Sequence, residues 1–587
     1  MTDSFTYAPV APKRTRVANL FVKREASRGV YLAPNSGNAT DGTDAILVEV
    51  SGSPFSYNSN LVEVNSVRGS LDKFPSIPSG GMCGLKVKVN IGSLPSAGAK
   101  AEWDILAEAC GLHSVTTSTS VVDALTTTAA ATNLAVASFT STTTSDPFTG
   151  ITVGTVVNVS GSAKGVTNNN DFLVVTHGTK TFGVVNLDGT PATLVAETSG
   201  VSLTFKFGVA GALATAGSTT TATLASGYTA AADTYRYMPV VLTGDNGATG
   251  TTLTSATLTW TSSGAVLGGS SNELSVLKPG MYVRLGGTFA SGTKGVYIVK
   301  SYTDSTHVVL QHVDGTAAAM ADDLTPGAGA TLEYGIPVIT SMSQDYTAGR
   351  VATLVDVFAS TLTTSTVVSI PPNVTYQPTS DTTSNLPTTS VRLQMDGVEY
   401  QMYGTTGVVD YAAPTGNGSN GIASLNFDLK GLFQGFADVS TLSVAYPTRS
   451  YPINRGGKVL LNGVQIATKS VTVKSNAKLV NPDNPNSPEG YDPGVMTERR
   501  FETSIDPLRV SAATRNFIAL IRANTFYALH NRFTTPGVHT PGGSIALTVP
   551  RWSARTLSQT DDGGVQRDQS MGQTDGSDGS TLGITLW

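Results

Sequence analysis

Val391-Arg392-Leu393-Gln394-Met395-Asp396-Gly397-Val398-Glu399-Tyr400-Gln401-Met402 decides how the chain is read. Two strand-forming runs flank Asp-Gly, a pair that accepts the positive φ angles of a two-residue hairpin turn. Leu460-Leu461 and Val464-Gln465-Ile466 flank Asn462-Gly463 in the same way. Strict alternation recurs at Leu85–Ile91 and Ser424–Lys430, which predicts strands with one buried and one wet face. Short runs rich in Val, Ile, Thr and Tyr, broken by Gly, Asn, Asp and Pro, continue from end to end, as in a mainly β protein. Ala45–Val50, Leu61–Val67, Phe526–Phe533 and Ser544–Val549 read as further strands. Helical spacing occurs twice. Ala97–Cys110 sets Trp103, Leu106 and Cys110 on one side with Gly111 placed to terminate it. Ala512–Ala523 carries a Phe517, Leu520, Ile521 stripe with Ser511 as N-cap.

Between these regular stretches, His113–Leu362 turns rich in Thr, Ser, Ala and Gly, and it repeats itself. Val153–Gly161 matches Pro279–Gly287, and Leu187-Asp188-Gly189-Thr190 matches Val313-Asp314-Gly315-Thr316, both at an offset of 126 residues with no gap. Two separate anchors sharing one offset mark a duplicated β-module; two copies are too few for a solenoid and read as appended domains.

Length and charge narrow the class. A chain of 587 residues exceeds what one core supports. Only 13% of it is charged and the net charge is −5, so no global basic signal for nucleic-acid binding exists. The imbalance is local: Val121–Ser360 holds 15 acidic and 9 basic residues against 27 and 28 elsewhere. Cys83 and Cys110 read as buried free thiols, too few for a disulfide framework or a four-Cys zinc site. The start, MTDSFTYAPVAPKRTR, has no apolar h-region, no run of about 18 apolar residues occurs, and the expectation is a cytoplasmic product. Six scattered histidines (His113, His177, His307, His312, His530, His539) form no ligand pattern. There is no Gly-x-Ser-x-Gly elbow or nucleotide fingerprint, and Asn481–Asn486 lacks EF-hand spacing. Asp188-Gly189 and Asp314-Gly315 read as tight turns rather than calcium ligands. The expectation is a protein that is not an enzyme and takes no cofactor or metal.

The order of several short motifs resembles siphophage major tail tube proteins, those of long non-contractile tails. In the first half these are Asp44–Leu47, Val67–Leu71, the Lys86–Ile91 strand and the helix ending Leu106–Leu112. In the second half they are Val374–Pro378, the Met395-Asp396-Gly397 hairpin, Tyr403–Gly407, Asn426–Leu432 and Ile545–Pro550. The resemblance implies a mainly β fold: a tail-tube β-barrel or sandwich with a packed helix, interrupted by two small all-β modules. The organisation is then a basic N-terminal arm (1–40) acting as a strap, the first half of the tube domain (41–112), module 1 (113–240), module 2 (241–365), and the second half with its C-terminal extension (366–587).

It further implies a virion structural subunit, assembled in the bacterial cytoplasm, whose hexameric rings stack into a tube. The implied partners are its own copies, the tape-measure protein, tail terminator and distal tail proteins, and phage DNA transiting the lumen without specific binding. The modules would decorate the exterior and touch the host surface. The Pro/Gly-rich loop with Gly69, Pro75, Ile77, Pro78, Gly80 and Gly81 is the candidate inter-ring assembly element, against the plainer reading of a surface loop. The rival reading is a tail fibre, adhesin or capsid decoration protein whose modules hold host glycans. A polysaccharide-degrading enzyme would need a carboxylate pair that no motif identifies.

Overall fold

The computed structural model describes residues 18–587 except 35–44, 47–54, 64–75, 129–135, 144, 216, 218–220, 225–235, 245–249, 256, 271, 319, 336–338, 348–350, 357–361, 364–365, 380–385, 416–420, 440–448, 535–542 and 577–579. Antiparallel strands dominate it, and the described residues hold two short α-helices, α1 (Asp104–Ala109) and α2 (Phe517–Ala523). None of the described helices is long and apolar enough to cross a membrane.

Strands from the two ends of the sequence interleave in one body. Ala18–Arg24 pairs with Thr389–Met395, Ile77–Asn90 with Ser424–Asp438, and Leu112–Thr117 with Asn373–Pro378. Alternation explains the choice of face: Leu85, Val87 and Val89 point inward with Leu425, Phe427 and Leu429 opposite them. These side chains meet Val471, Ile505, Leu547 and Trp552 in a single core, onto which Leu106 of α1 and Trp103 just before it also pack. The Asp396-Gly397 turn has φ angles of 45° and 85°, both positive as the hairpin requires.

The insert contains three units where the duplication pointed to two. Strands at Thr119–Thr128, Ala137–Ser141, Val156–Ser160, Asp171–Gly178, Thr181–Asn186 and Glu197–Phe207 pair in a ring that returns on itself, a closed barrel. A second six-stranded barrel follows, from Val209–Thr215, Thr221–Leu224, Pro239–Thr243, Ile339–Thr347, Val351–Leu354 and Val367–Ile370. Nested inside it, between Thr243 and Ile339, lies a seven-stranded sheet running from Thr251–Thr254 to Ala330–Tyr334. That nested unit is the second copy of the duplication. A boundary at 240/241 would cut the Pro239–Thr243 strand, because the connecting segments form a barrel with no repeat to reveal it. The body likewise keeps Leu112–Thr117, while Val367–Ile370 closes the second barrel.

Residues 18–34 are not a free strap. Arg24 pairs with Glu108 at 3.1 Å, and Arg28 donates to the carbonyls of Leu386, Pro493 and Gly494. Buried Glu25 accepts from the Gly29 and Gly404 amides and from the Thr388 and Ser390 hydroxyls. Lys13, Arg14 and Arg16 lie outside the described residues. Both helices are shorter than their apolar stripes suggest. Gly98 at φ +65° interrupts the helical run so that α1 starts only at Asp104, and α2 starts only where the Asn516 side chain accepts from the Ala519 amide. The polar C-terminal stretch is also more ordered than its composition implies, since Val565–Thr574 pairs with the long Ser544–Asp562 strand.

Candidate assembly surface

Of the six residues in the candidate assembly loop, Gly69 and Pro75 lie outside the described residues. Ile77, Pro78, Gly80 and Gly81 belong to the Ile77–Asn90 strand, so the loop is shorter than its Pro and Gly content suggests. The half of this strand from Cys83 onward is held in the body by Ser424–Gly431, whereas, among the described residues, 77–82 pair only with Phe55–Val62. A two-stranded arm therefore leaves the sheet.

The glycine pair shapes the arm's root. The register slips between Ser59 and Leu61, where Asn60 alone stands opposite Ser79 and Gly80, and Gly80 takes φ +94° in that bulge. A Cβ on Gly80 would sit 2.3 Å from the Glu489 carbonyl oxygen, and one on Gly81 would meet the Tyr57 ring at 2.6 Å. Only glycine lets the arm lie this close to the 481–494 segment. Tyr57 donates its hydroxyl to Glu489 at 3.2 Å, and Asn60 Nδ2 donates to the Tyr491 hydroxyl. Burial, then the Glu489 carboxylate, raises the Tyr57 hydroxyl pKa above its ordinary value. Rings continue the contact: Phe55 meets Tyr400 at 4.6 Å, Tyr400 meets Phe436 at 5.1 Å, and Tyr57 meets Phe433 at 5.6 Å.

Outward, the arm exposes several apolar side chains among serines and asparagines. Leu61 is 61% exposed, Ile77 57%, Val62 51% and Tyr57 46%. Among the described residues, Phe55–Val62 has a partner strand on one side only. Single exposed apolar residues are ordinary, but a cluster on an unpaired strand edge marks a surface made to be covered.

A second apolar surface went unread in the sequence. The Lys458–Gln465 turn region and α2 enclose a groove of about 400 Å³ lined by Leu461, Val464, Ile466, Leu508, Val510 and Leu520 among others. Val464 is 67% exposed and Ile518, on α2, 60%. Its signal was a valine placed directly after an Asn-Gly turn, where a solvated hairpin would carry a polar residue.

Several polar side chains singled out in the sequence are held in local structural contacts. His530 is buried beside Thr548 at 2.9 Å, and burial with the nearby Arg532 and Lys458 charges pushes its pKa well down. Cys83 and Cys110 are buried free thiols, and burial pushes the Cys83 thiol up to about 12. Asp188 and Asp314 each accept from the amide and hydroxyl of the threonine two residues on, closing their own turns. Asn484 likewise binds the Asn486 amide and Asp492 within its loop. His539 lies outside the described residues, and among those described no three His, Cys, Asp or Glu side chains cluster as metal ligands. No protein-family model matches the chain, and no curated protein matches it either.

Proposed function

We propose that this chain is the repeating structural subunit of a siphovirus-type tail tube, acting by assembly and not by catalysis. Copies close into hexameric rings through strand edges, and rings stack around a bore. The bore passes double-stranded DNA and holds the tape-measure protein during assembly, while terminator and distal tail proteins cap the ends. The carrying observation is the interleaved body. Sequence blocks more than 250 residues apart, in the order that resembles tube proteins, pair into one β-domain that leaves an arm with exposed Leu61, Val62 and Ile77 and a strand edge uncovered. Head-to-tail contacts that close by rotation give rings, and an edge needing a neighbour supplies the driving force. The insert then lies outside, available to the host surface.

Negative-stain imaging of the purified chain tests this. Rings or hollow tubes are expected; discrete trimers would favour a glycan-binding fibre or adhesin, and a stable monomer at high concentration would end both. The insert can be probed without harming the body. Thr251 and Tyr334 are paired neighbours, so residues 250–335 can be excised and the ends joined by a short linker. Tubes of smaller outer diameter are expected. Removing the second barrel would be a poor test, because Tyr237 packs against Gly583 and donates to the Ser580 carbonyl at 2.6 Å.

A further inference from the structure

The two copies of the duplicated module meet face to face, and each uses the same face. In the first barrel, Val156, Leu173 and Val185 are cross-strand neighbours on three adjoining strands. Tyr282, Ile298 and Gln311 hold the equivalent places in the nested unit, linked by the same pairings. Their chain neighbours Val157, Phe172 and Val184 fill the first barrel's core, as Val283, Val299 and Leu310 fill the nested one. Because side chains alternate along a strand, the six point outward from their own units. Yet none of them is more than 4% exposed. All but Gln311 gather in one apolar cluster, edged by Val241 and Val367 of the second barrel. The contact is close. A Cβ on Gly280 would strike Val185, one on Gly315 would strike Val153 at 2.6 Å, and Gln311 Nε2 donates to the Val175 carbonyl at 2.5 Å. Strict two-fold symmetry fails at Gly154, the counterpart of Gly280, which meets Val367 instead.

We infer that this face is a homotypic pairing surface, and that the nested unit holds the place of a second copy of the chain. Two observations select that occupant. The first barrel's face is already filled by a duplicate of itself, through the same patch on both sides, which is the arrangement of an isologous pair. The first barrel's side is also the more apolar. Val185 stands where the nested unit has Gln311, so two first barrels would bring three apolar side chains against three, with no amide to satisfy. Val175 and Leu187 extend the same patch. Left uncovered, it would be a contiguous apolar surface of the kind that drives association. The nested unit thus keeps neighbouring copies from joining through their inserts. This role depends on the insert alone and holds for whatever assembly the body forms.

Crosslinking in the chain lacking residues 250–335 tests it. Gly315 lies on Val153 in the intact chain, so in a pair of first barrels the matching turn, from Leu187 to Gly189, would lie on Val153 of the other copy. Val153→Cys and Leu187→Cys are made in separate chains, mixed, and treated with a short bismaleimide. The native thiols are buried and stay unreacted. A mixed covalent dimer is expected from the deleted chains, and none from the same substitutions in the undeleted chain, where the nested unit covers the face. Val185→Asp in the deleted chains should abolish the dimer, since pairing would bury two unpaired carboxylates. A dimer that survives Val185→Asp, one that forms equally in the undeleted chain, or equal yields from either variant alone would each overturn the inference. So would a folded deletion chain that gives no dimer. Should the deletion not fold, Ile298→Asp in the full-length chain takes its place. Ile298 points away from the nested core, so the nested unit should come off the face with its fold intact, and the same crosslink should then appear; its absence once amide exchange shows the unit detached counts equally against the inference. Imaging keeps the two proposals apart. Tubes without the crosslink sink the pairing face alone, and the crosslink without rings or tubes sinks the tube alone.

Discussion

The first barrel and the nested unit are one design executed twice. At the offset of 126 residues, the strand Thr181–Asn186 falls on His307–His312, and Val156–Ser160 on Tyr282–Gly287. Their turns agree in detail. Asp188 and Asp314 each accept a 2.9 Å bond from the threonine amide and a 2.6 Å bond from its hydroxyl. Gly154 and Gly280 share φ angles of 88° and 87°. Their interiors do not agree. The first unit closes into a barrel around Phe139, Phe148, Phe172, Phe182 and Phe205. The second is a seven-stranded sheet joined across by the Trp260–Asp323 backbone bridge, with Ala265, Leu274 and Val308 at the positions of Phe139, Phe148 and Phe182, and with Trp260 and Tyr297 in its core. A turn admits few residues because its backbone angles are demanding, whereas a core accepts many that fill the same volume.

The largest expected effect breaks this comparison at the core. Phe182 makes ring contacts with Phe139, Phe148 and Phe205 at 4.9–5.5 Å, so Phe182→Ala should cost the first barrel roughly 3–5 kcal/mol. Val308→Ala at the equivalent place should cost about 2 kcal/mol. Amide hydrogen exchange in the strands of each unit measures both locally, and equal losses would show that the two cores carry load alike. Next come the joints. A Cβ on Gly280 would strike Val185, and one on Gly154 would strike Val367, each at 2.4 Å and each at a positive φ. Either change to Ala should cost about 2 kcal/mol. Gly280→Ala should open the contact of the nested unit with the first barrel, and Gly154→Ala that of the first barrel with the second. Proteolysis at the joints, compared with exchange inside the units, distinguishes the two.

The same logic explains what was legible in the sequence. The mainly β class was, since alternation at Leu85–Ile91 and the Asp396-Gly397 turn are local signals that tertiary packing did not override. The duplication was legible through its turns. The second barrel was not, because its strands come from two stretches, 209–243 and 339–370, that the whole nested unit separates in sequence. At the candidate surface, Gly80 and Gly81 read as loop because glycine ordinarily breaks strands. Here they serve a bulge and a close backbone approach, which depend on Glu489, more than 400 residues away. The groove was invisible for a similar reason, as its walls come from a hairpin and a helix remote in sequence.

The smallest effect tests the turns, where the two copies should behave alike. Asp188→Ala and Asp314→Ala each remove the acceptor of two hydrogen bonds in an exposed turn, and each should cost about 1 kcal/mol. Asn in place of Asp keeps the side-chain oxygen but gives up the charge. If the carboxylates only close their turns, Asp188→Asn and Asp314→Asn should each recover most of that loss, by the same amount in both units, with or without calcium. A carboxylate that also held a cation would behave differently, since the neutral amide is a poor substitute toward a hard divalent ion. Calcium would then stabilise the parent and leave the Asn variants unmoved. Melting curves with calcium and with chelator decide between these outcomes. A calcium-dependent shift in one unit alone would mean that the duplicated turns have parted in function as the cores have parted in composition.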